Sequence, residues 1–160
     1  MITTTLRAIR EQEPSSDLLE KLIKNLNGMS EDEPLKFSTI VESNGIEDAL
    51  WCLRSLPDEH LPAIRLLAAD IAERVLHIYE EKFPDDKRPR EAIKAARDFA
   101  NGKIDKDQLK RAAYADADAA ASYAAYAAAY ADADADAAAY VTAYAKEKEE
   151  QAKLLIKYFG

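Results

Sequence analysis

The sequence predicts an all-α fold, a single helical-bundle-like domain of about six or seven helices, and three observations lead there. Only four glycines punctuate the 160 residues. Apolar residues recur at three- and four-residue spacings rather than alternating, which is the period of a helix face and not of a half-buried strand. After Asp105 neither proline nor glycine occurs until Gly160. About 50 residues are therefore free to propagate as helix, on the order of 75 Å at 1.5 Å per residue. The organisation implied is a helical core over 1–104 carrying a long, Ala/Tyr/Asp-rich C-terminal helix over 105–158.

Each element follows from local chemistry. "TTLRAIREQEP" opens on threonines able to cap and stops at Pro14, and "SSDLLEKLIKNLNG" offers serine caps, an apolar set from Leu18 to Leu26 and a terminator in Gly28. "EPLKFSTIVESNG" places Pro34 where a first helical turn tolerates it and ends on Asn44-Gly45, suited to a left-handed cap, although Thr39, Ile40 and Val41 would also allow a short strand. "IEDALWCLRSLP" reads as a helix broken at Pro57, with Trp51 as a core anchor. In "DEHLPAIRLLAADIAERVLHIYEEKF" Asp58 is the expected cap, and Leu61, Ile64, Ala68, Ile71, Val75 and Ile78 form one apolar stripe before Pro84. A further helix is expected over about 89–100, with Pro89 in its first turn and Gly102 past its end. The expected core is Leu22, Ile40, Leu50, Trp51, Leu53, Ile64, Leu67, Ile71, Val75, Ile78, Ile93 and Phe99.

Composition narrows the function classes. Twenty-two basic against 30 acidic residues give a net charge of −8, which disfavours direct binding to nucleic-acid backbone or anionic membrane, since both require concentrated positive charge. A basic partner suits such a chain better. Cys52 is the one cysteine, so no intramolecular disulfide forms, and within "DALWCLRSL" it reads as a buried structural thiol in a reducing cytoplasm. No signal peptide or membrane span is legible, and a cytoplasmic location is the expectation. Self-association is left open.

The C-terminal segment holds the strongest bias: between Ala112 and Ala145 stand five aspartates, six tyrosines and no lysine or arginine. On a helical wheel the alanines from Ala113 to Ala139 gather in one sector, able to approach another helix closely. Tyr123, Tyr126, Tyr130, Tyr140 and Tyr144 gather roughly opposite, flanked by Asp118, Asp132 and Asp136 on one side and Asp116 and Asp134 on the other. Alternate residues on a helix point about 200° apart, so the carboxylates of "DADAD" do not converge on one ion, and no metal or cofactor is expected. Like charges one turn apart cost a few tenths of a kcal/mol, which calls for an offset. Internally, Arg88, Arg90, Lys94 and Arg97 would supply it by pairing with Asp116 or Asp118. Externally, the stripe would bind a cationic partner surface, with Tyr123, Tyr126, Tyr130, Tyr140 and Tyr144 as contact area and Asp132, Asp134 and Asp136 as steering charge.

Catalytic chemistry is not supported. Neither His60 nor His77 has a Ser or Cys pattern beside it, and Asp70, Glu73 and His77, at helical spacings, lack the second Glu-x-x-His motif of a bundle metal site. "DDKRPRE" offers Arg88 and Arg90 as an anion clamp, against a cap-and-salt-bridge role with Asp85 and Asp86.

"NGIEDALWCLRSL" and "RLLAADIAERVLHIYEEKFPDDKRPREAIKAARDFANGKI", followed by an alanine-rich tail with repeated aromatics, resemble the immunity proteins of bacterial toxin-immunity loci, a family also met among phage genes. The resemblance is strongest from Asn44 to Ile104. It implies an all-α domain without enzymatic activity that binds and blocks one partner. The Asp- and Tyr-rich tail departs from the family in residue identity. The expected function is thus non-catalytic inhibition of a protein partner through the acidic, tyrosine-rich surface. The alternatives are an acidic DNA mimic blocking a nuclease or CRISPR-type effector, and a small-anion binder using Arg88 and Arg90.

Overall fold

The computed structural model describes residues 2–113 and 137–160, and the surroundings of side chains over 2–110 and 145–160. The described residues are predominantly α-helical, as the sequence predicts, with one small two-stranded sheet. The chain divides into two compact units, Met1–His60 with Lys148–Gly160, and Leu61–Glu147.

In the first unit, β1 (Thr3–Thr4) pairs antiparallel with β2 (Leu35–Lys36), Thr3 opposite Lys36 and Thr4 opposite Leu35. Two-residue strands are too short to show a period-2 pattern, and the sequence reading missed both. Their pairing also corrects the expectation for Pro34: residues 35–36 are taken by the ladder, so the helix starts only at Phe37 and Pro34 lies outside it. α1 (Leu6–Arg10) begins where the Thr5 hydroxyl accepts from the Ala8 amide at 3.1 Å, and α2 (Ser16–Asn25) where the Ser15 hydroxyl accepts from Leu18 at 3.3 Å. α3 (Phe37–Asn44) and α4 (Ile46–Cys52) turn about Gly45, whose φ of 95° and ψ of 173° lie in a region essentially reserved for glycine. The β-branched Thr39, Ile40 and Val41 are helical, so burial of the Phe37 and Ile40 face outweighs their strand preference.

The core of this unit is Leu6, Ile9, Leu18, Leu22, Leu35, Phe37, Ile40, Ile46 and Cys52, completed by Leu155 and Phe159 from the chain's last helix. The Phe37 and Phe159 rings sit 5.6 Å apart in a tilted arrangement. The buried Asn44 side chain is satisfied by donating to the Leu18 carbonyl at 3.0 Å and to Asp48 at 2.9 Å, while Ser43 bonds to its carbonyl oxygen. Trp51 corrects the expected core: it and Leu50 are only half-buried, and the Arg54 guanidinium lies 5.3 Å from the indole centroid.

The second unit contains α5 (Leu61–Lys82), α6 (Arg88–Ala100), α7 (Lys106–Ala113) and the start of α8 (Ala137–Phe159). Asp58 does not open α5 as a cap; it belongs to a 3-10 turn, Asp58–His60, that precedes the helix. α6 carries Pro89 at its start, and Gly102 follows its end with φ at +69°. The single apolar stripe expected on α5 is also corrected. Leu61 and Ala68 are exposed, Ile64, Ile71 and Ile78 half-buried, and the buried residues are Leu67, Ala69, Val75 and Leu76. Leu67 and Leu76 fall on sides about 180° apart, so α5 is covered on two faces, and a one-stripe template fails for such a helix. Ile93 and Phe99 are half-buried as well. α7 and α8 lie within the predicted tail helix, whereas the alanine face as a packing surface falls mostly on residues outside the described ones.

Candidate functional site

The chemistry gathered by the described residues lies on the second unit, where α5 and α6 form an antiparallel pair. The pairing order shows the direction: Asp86 meets Arg88, Glu80 meets Arg90, and Asp70 with Glu73 meets Arg97. Glu73 and Glu80 are two helical turns apart, and so are Arg90 and Arg97, so equal steps on opposed helices bring both pairs into register.

Asp86 organises the turn between the helices. Its Oδ1 accepts from the Arg88 backbone amide at 3.1 Å, and the Arg88 guanidinium grips the carboxylate with Nη2 2.6 Å from Oδ2. The Tyr79 hydroxyl donates to Oδ2 at 2.8 Å. Chiefly the Arg88 guanidinium, then Tyr79 and the Arg88 amide, hold the Asp86 carboxyl well below the usual carboxylate range. Arg90 makes a two-pronged pair with Glu80, Nε to Oε1 at 2.7 Å and Nη2 to Oε2 at 2.5 Å, which lowers the Glu80 carboxyl in turn. Through Nη2, Arg97 donates to Asp70 at 2.7 Å and to Glu73 at 2.6 Å, and its own pKa is raised, first by the Glu73 bond. Lys94 reaches Asp98 at 2.5 Å, and Lys103 lies 3.6 Å from the same carboxylate. Between the helices a groove of about 420 Å³ is lined by Leu76 and Ile93 together with Glu73, Arg90, Lys94, Arg97, Asp98, Asn101 and Lys103.

The sequence-predicted residues divide sharply. Tyr123, Tyr126, Tyr130, Asp132, Asp134 and Asp136 lie outside the described residues, as do Asp116 and Asp118; Tyr140 and Tyr144 fall on α8, one turn apart along its backbone. Arg88 and Arg90 are both engaged by carboxylates, on Asp86 and Glu80, and an incoming anion would have to compete with them. Asp70 and Glu73 turn toward Arg97, while His77 is exposed and its Nδ1 lies 3.0 Å from the Arg74 carbonyl, so the three do not converge. Among the described residues no cluster of His, Cys, Asp and Glu could hold a metal ion. Cys52 is fully buried, and burial pushes its thiol up to about 12. Sequence reasoning missed the Arg97 bridge and the Lys94–Asp98–Lys103 cluster. The equal spacing of Glu73–Glu80 and Arg90–Arg97 was the available signal, but it acquires meaning only once the helices are known to oppose each other.

The described residues are mostly helical, and the charges gathered along α5 and α6 serve mutual pairing. Residues 58–156 match the family described as Imm-5 like putative immunity protein, and the chain belongs to that family. Membership implies a non-catalytic inhibitory role exercised on a protein partner. No match is found among curated proteins or among solved structures. Among the described residues no helix is long and apolar enough to cross a membrane.

Proposed function

We propose that this chain neutralises a partner protein, as an immunity or phage anti-defence factor, by binding a basic surface of that partner through its acidic, tyrosine-rich segment. The carrying observation is the absence of any lysine or arginine between Ala112 and Ala145, within the family match, where five aspartates and six tyrosines stand instead. Solvent-facing helices ordinarily alternate charge sign for support one turn away, so a one-sign stretch of this length implies compensation from elsewhere. The described part of the molecule supports an external source. Of the expected internal partners Arg88, Arg90, Lys94 and Arg97, Arg90 is already held by both oxygens of Glu80 and Arg97 by Asp70 and Glu73. Tyr123, Tyr126, Tyr130, Tyr140 and Tyr144 supply rigid contact area at low entropic cost, and Asp132, Asp134 and Asp136 supply orientation and steering.

The test begins with affinity capture of the partner from the native host and its identification by mass spectrometry. Calorimetric titration then compares the parent chain with a Tyr126→Ala, Tyr130→Ala variant. The expected outcome is a loss of about 2 kcal/mol or more in binding, near 30-fold, with the thermal midpoint little changed. A marked drop in thermal stability with unchanged affinity per folded molecule would show that the stripe is structural and would overturn the proposal.

A further inference from the structure

The groove between α5 and α6 has no part in the function just proposed, and its composition is unusual for so acidic a chain. Two apolar side chains line it, the buried Leu76 and the half-buried Ile93. Four cations surround them, Arg90, Lys94, Arg97 and Lys103. Their compensation is uneven along the groove. Arg97 meets two carboxylates, Asp70 and Glu73, and Arg90 meets Glu80 through both oxygens. At the other end Lys94 and Lys103 share one carboxylate, Asp98, at 2.5 and 3.6 Å. The two ammonium-bearing side chains are 76% and 68% exposed, whereas Asp98 is 18% exposed, so the positive heads face solvent and the balancing charge sits beneath them. An ammonium group carries three donors, so each lysine has capacity beyond its bond to Asp98. Asn101 lies at the same end, its amide nitrogen donating to the Arg97 carbonyl at 2.7 Å.

We infer that this end of the groove is an anion site for a carboxylate carried on an apolar body, the oxyanion meeting Lys94 and Lys103 and the apolar part resting on Leu76 and Ile93. The volume fits that division: about 420 Å³ is within the range of small-ligand pockets and too small for a folded element of a partner. The electrostatics fit as well, because within a chain of net charge −8 two cations over one carboxylate form a local attractive focus for an anion. A bare inorganic anion would use only the lysines. A carboxylate on a ring or alkyl group uses the whole groove, which makes preference among anions the diagnostic property.

The experiment is a titration of the ¹⁵N-labelled full chain with benzoate, acetate and inorganic phosphate, followed by amide chemical shifts at constant pH and ionic strength. Benzoate is expected to saturate with a dissociation constant on the order of millimolar, shifting the amides of Leu76, Ile93, Lys94, Asn101 and Lys103. Acetate and phosphate should bind at least about threefold more weakly, because burial of apolar area adds to the ionic attraction. A Lys94→Gln, Lys103→Gln variant should lose saturable binding while keeping the parent shifts elsewhere, and Lys94→Arg should retain it. Both lysines are exposed, so neither change removes core packing. N-Acetyl-phenylalaninate distinguishes the source of the carboxylate: tighter binding than benzoate assigns the groove to a polypeptide C-terminus, and weaker binding assigns it to a free small acid. Non-saturating shifts, equal response to benzoate and acetate, or unchanged binding by the Lys94, Lys103 variant would overturn the inference. None of these results depends on the tyrosine-aspartate segment, so failure here leaves the proposed function untouched.

Discussion

Arg97 holds two carboxylates of the facing helix with one nitrogen, so its removal affects more than a single pair. Replacing it with methionine keeps most of the aliphatic stem but leaves Asp70 and Glu73, one turn apart, with their mutual repulsion less compensated. The expected loss is about 1 kcal/mol, small because the site is partly exposed and solvent screens it, and urea denaturation of parent and variant measures it. Acid sensitivity belongs to the same scale. Asp86, Glu80, Glu73 and Asp98 all have lowered pKa values in the fold, chiefly through hydrogen bonds from Arg88, Arg90, Arg97 and Lys94 respectively. A carboxyl lowered by folding contributes stability above its unfolded value of about 4 and loses that contribution as pH falls toward the folded value. The thermal midpoint should therefore decline as pH is taken from about 5 toward 2, and Asp86→Asn should make that decline shallower. Tyr79 carries the opposite sign. Its hydroxyl is raised by its bond to Asp86, so its contribution is present below about pH 10 and lost as pH rises through the folded value.

Two joints decide the helical elements of the first unit. Gly45 ends α3 and opens α4 with a backbone only glycine adopts without strain, while a Cβ built there meets no atom within 4 Å. The cost of Gly45→Ala is thus conformational rather than steric, and about 1–3 kcal/mol is expected in chemical denaturation. A neutral result would mean that the α3–α4 turn relaxes into another backbone region. The other joint is the end of α8, which returns the last residues of the chain to the N-terminal core. Phe159 is fully buried against Phe37, and Leu155 is equally enclosed. Phe159→Ala should cost about 3–5 kcal/mol through lost burial and the cavity left behind. The readout is loss of the cooperative thermal transition or a large fall in its midpoint. An unchanged midpoint would show that the C-terminal turn of α8 contributes nothing to the core.

At the scale of the whole molecule, net charge of −8 and the one-sign segment over 112–145 set how the chain meets a basic partner. Association should slow as salt rises, and neutralising Asp132, Asp134 and Asp136 to asparagine should flatten that dependence while changing dissociation little, because rim charges act on encounter. Stopped-flow association rates at two ionic strengths check this, and an unaltered salt slope would remove those aspartates from the interface. The sequence by itself determined the all-α class, threonine and serine caps at the first two helices, the glycine turn at Gly45, Pro89 in the first turn of α6 and the burial of Cys52. Caps, breakers and propensities act across a few neighbouring residues, so a linear reading contains their cause. Tertiary structure decided the rest. It covered α5 on two faces instead of one stripe, left Trp51 half-exposed under Arg54, and drew Leu35 and Lys36 into a strand pair. It also chose Glu80 for Arg90 and Asp70 with Glu73 for Arg97. Each of these outcomes depends on which surfaces oppose one another across long stretches of chain. Helical period states which residues share a face, but only packing states what that face meets.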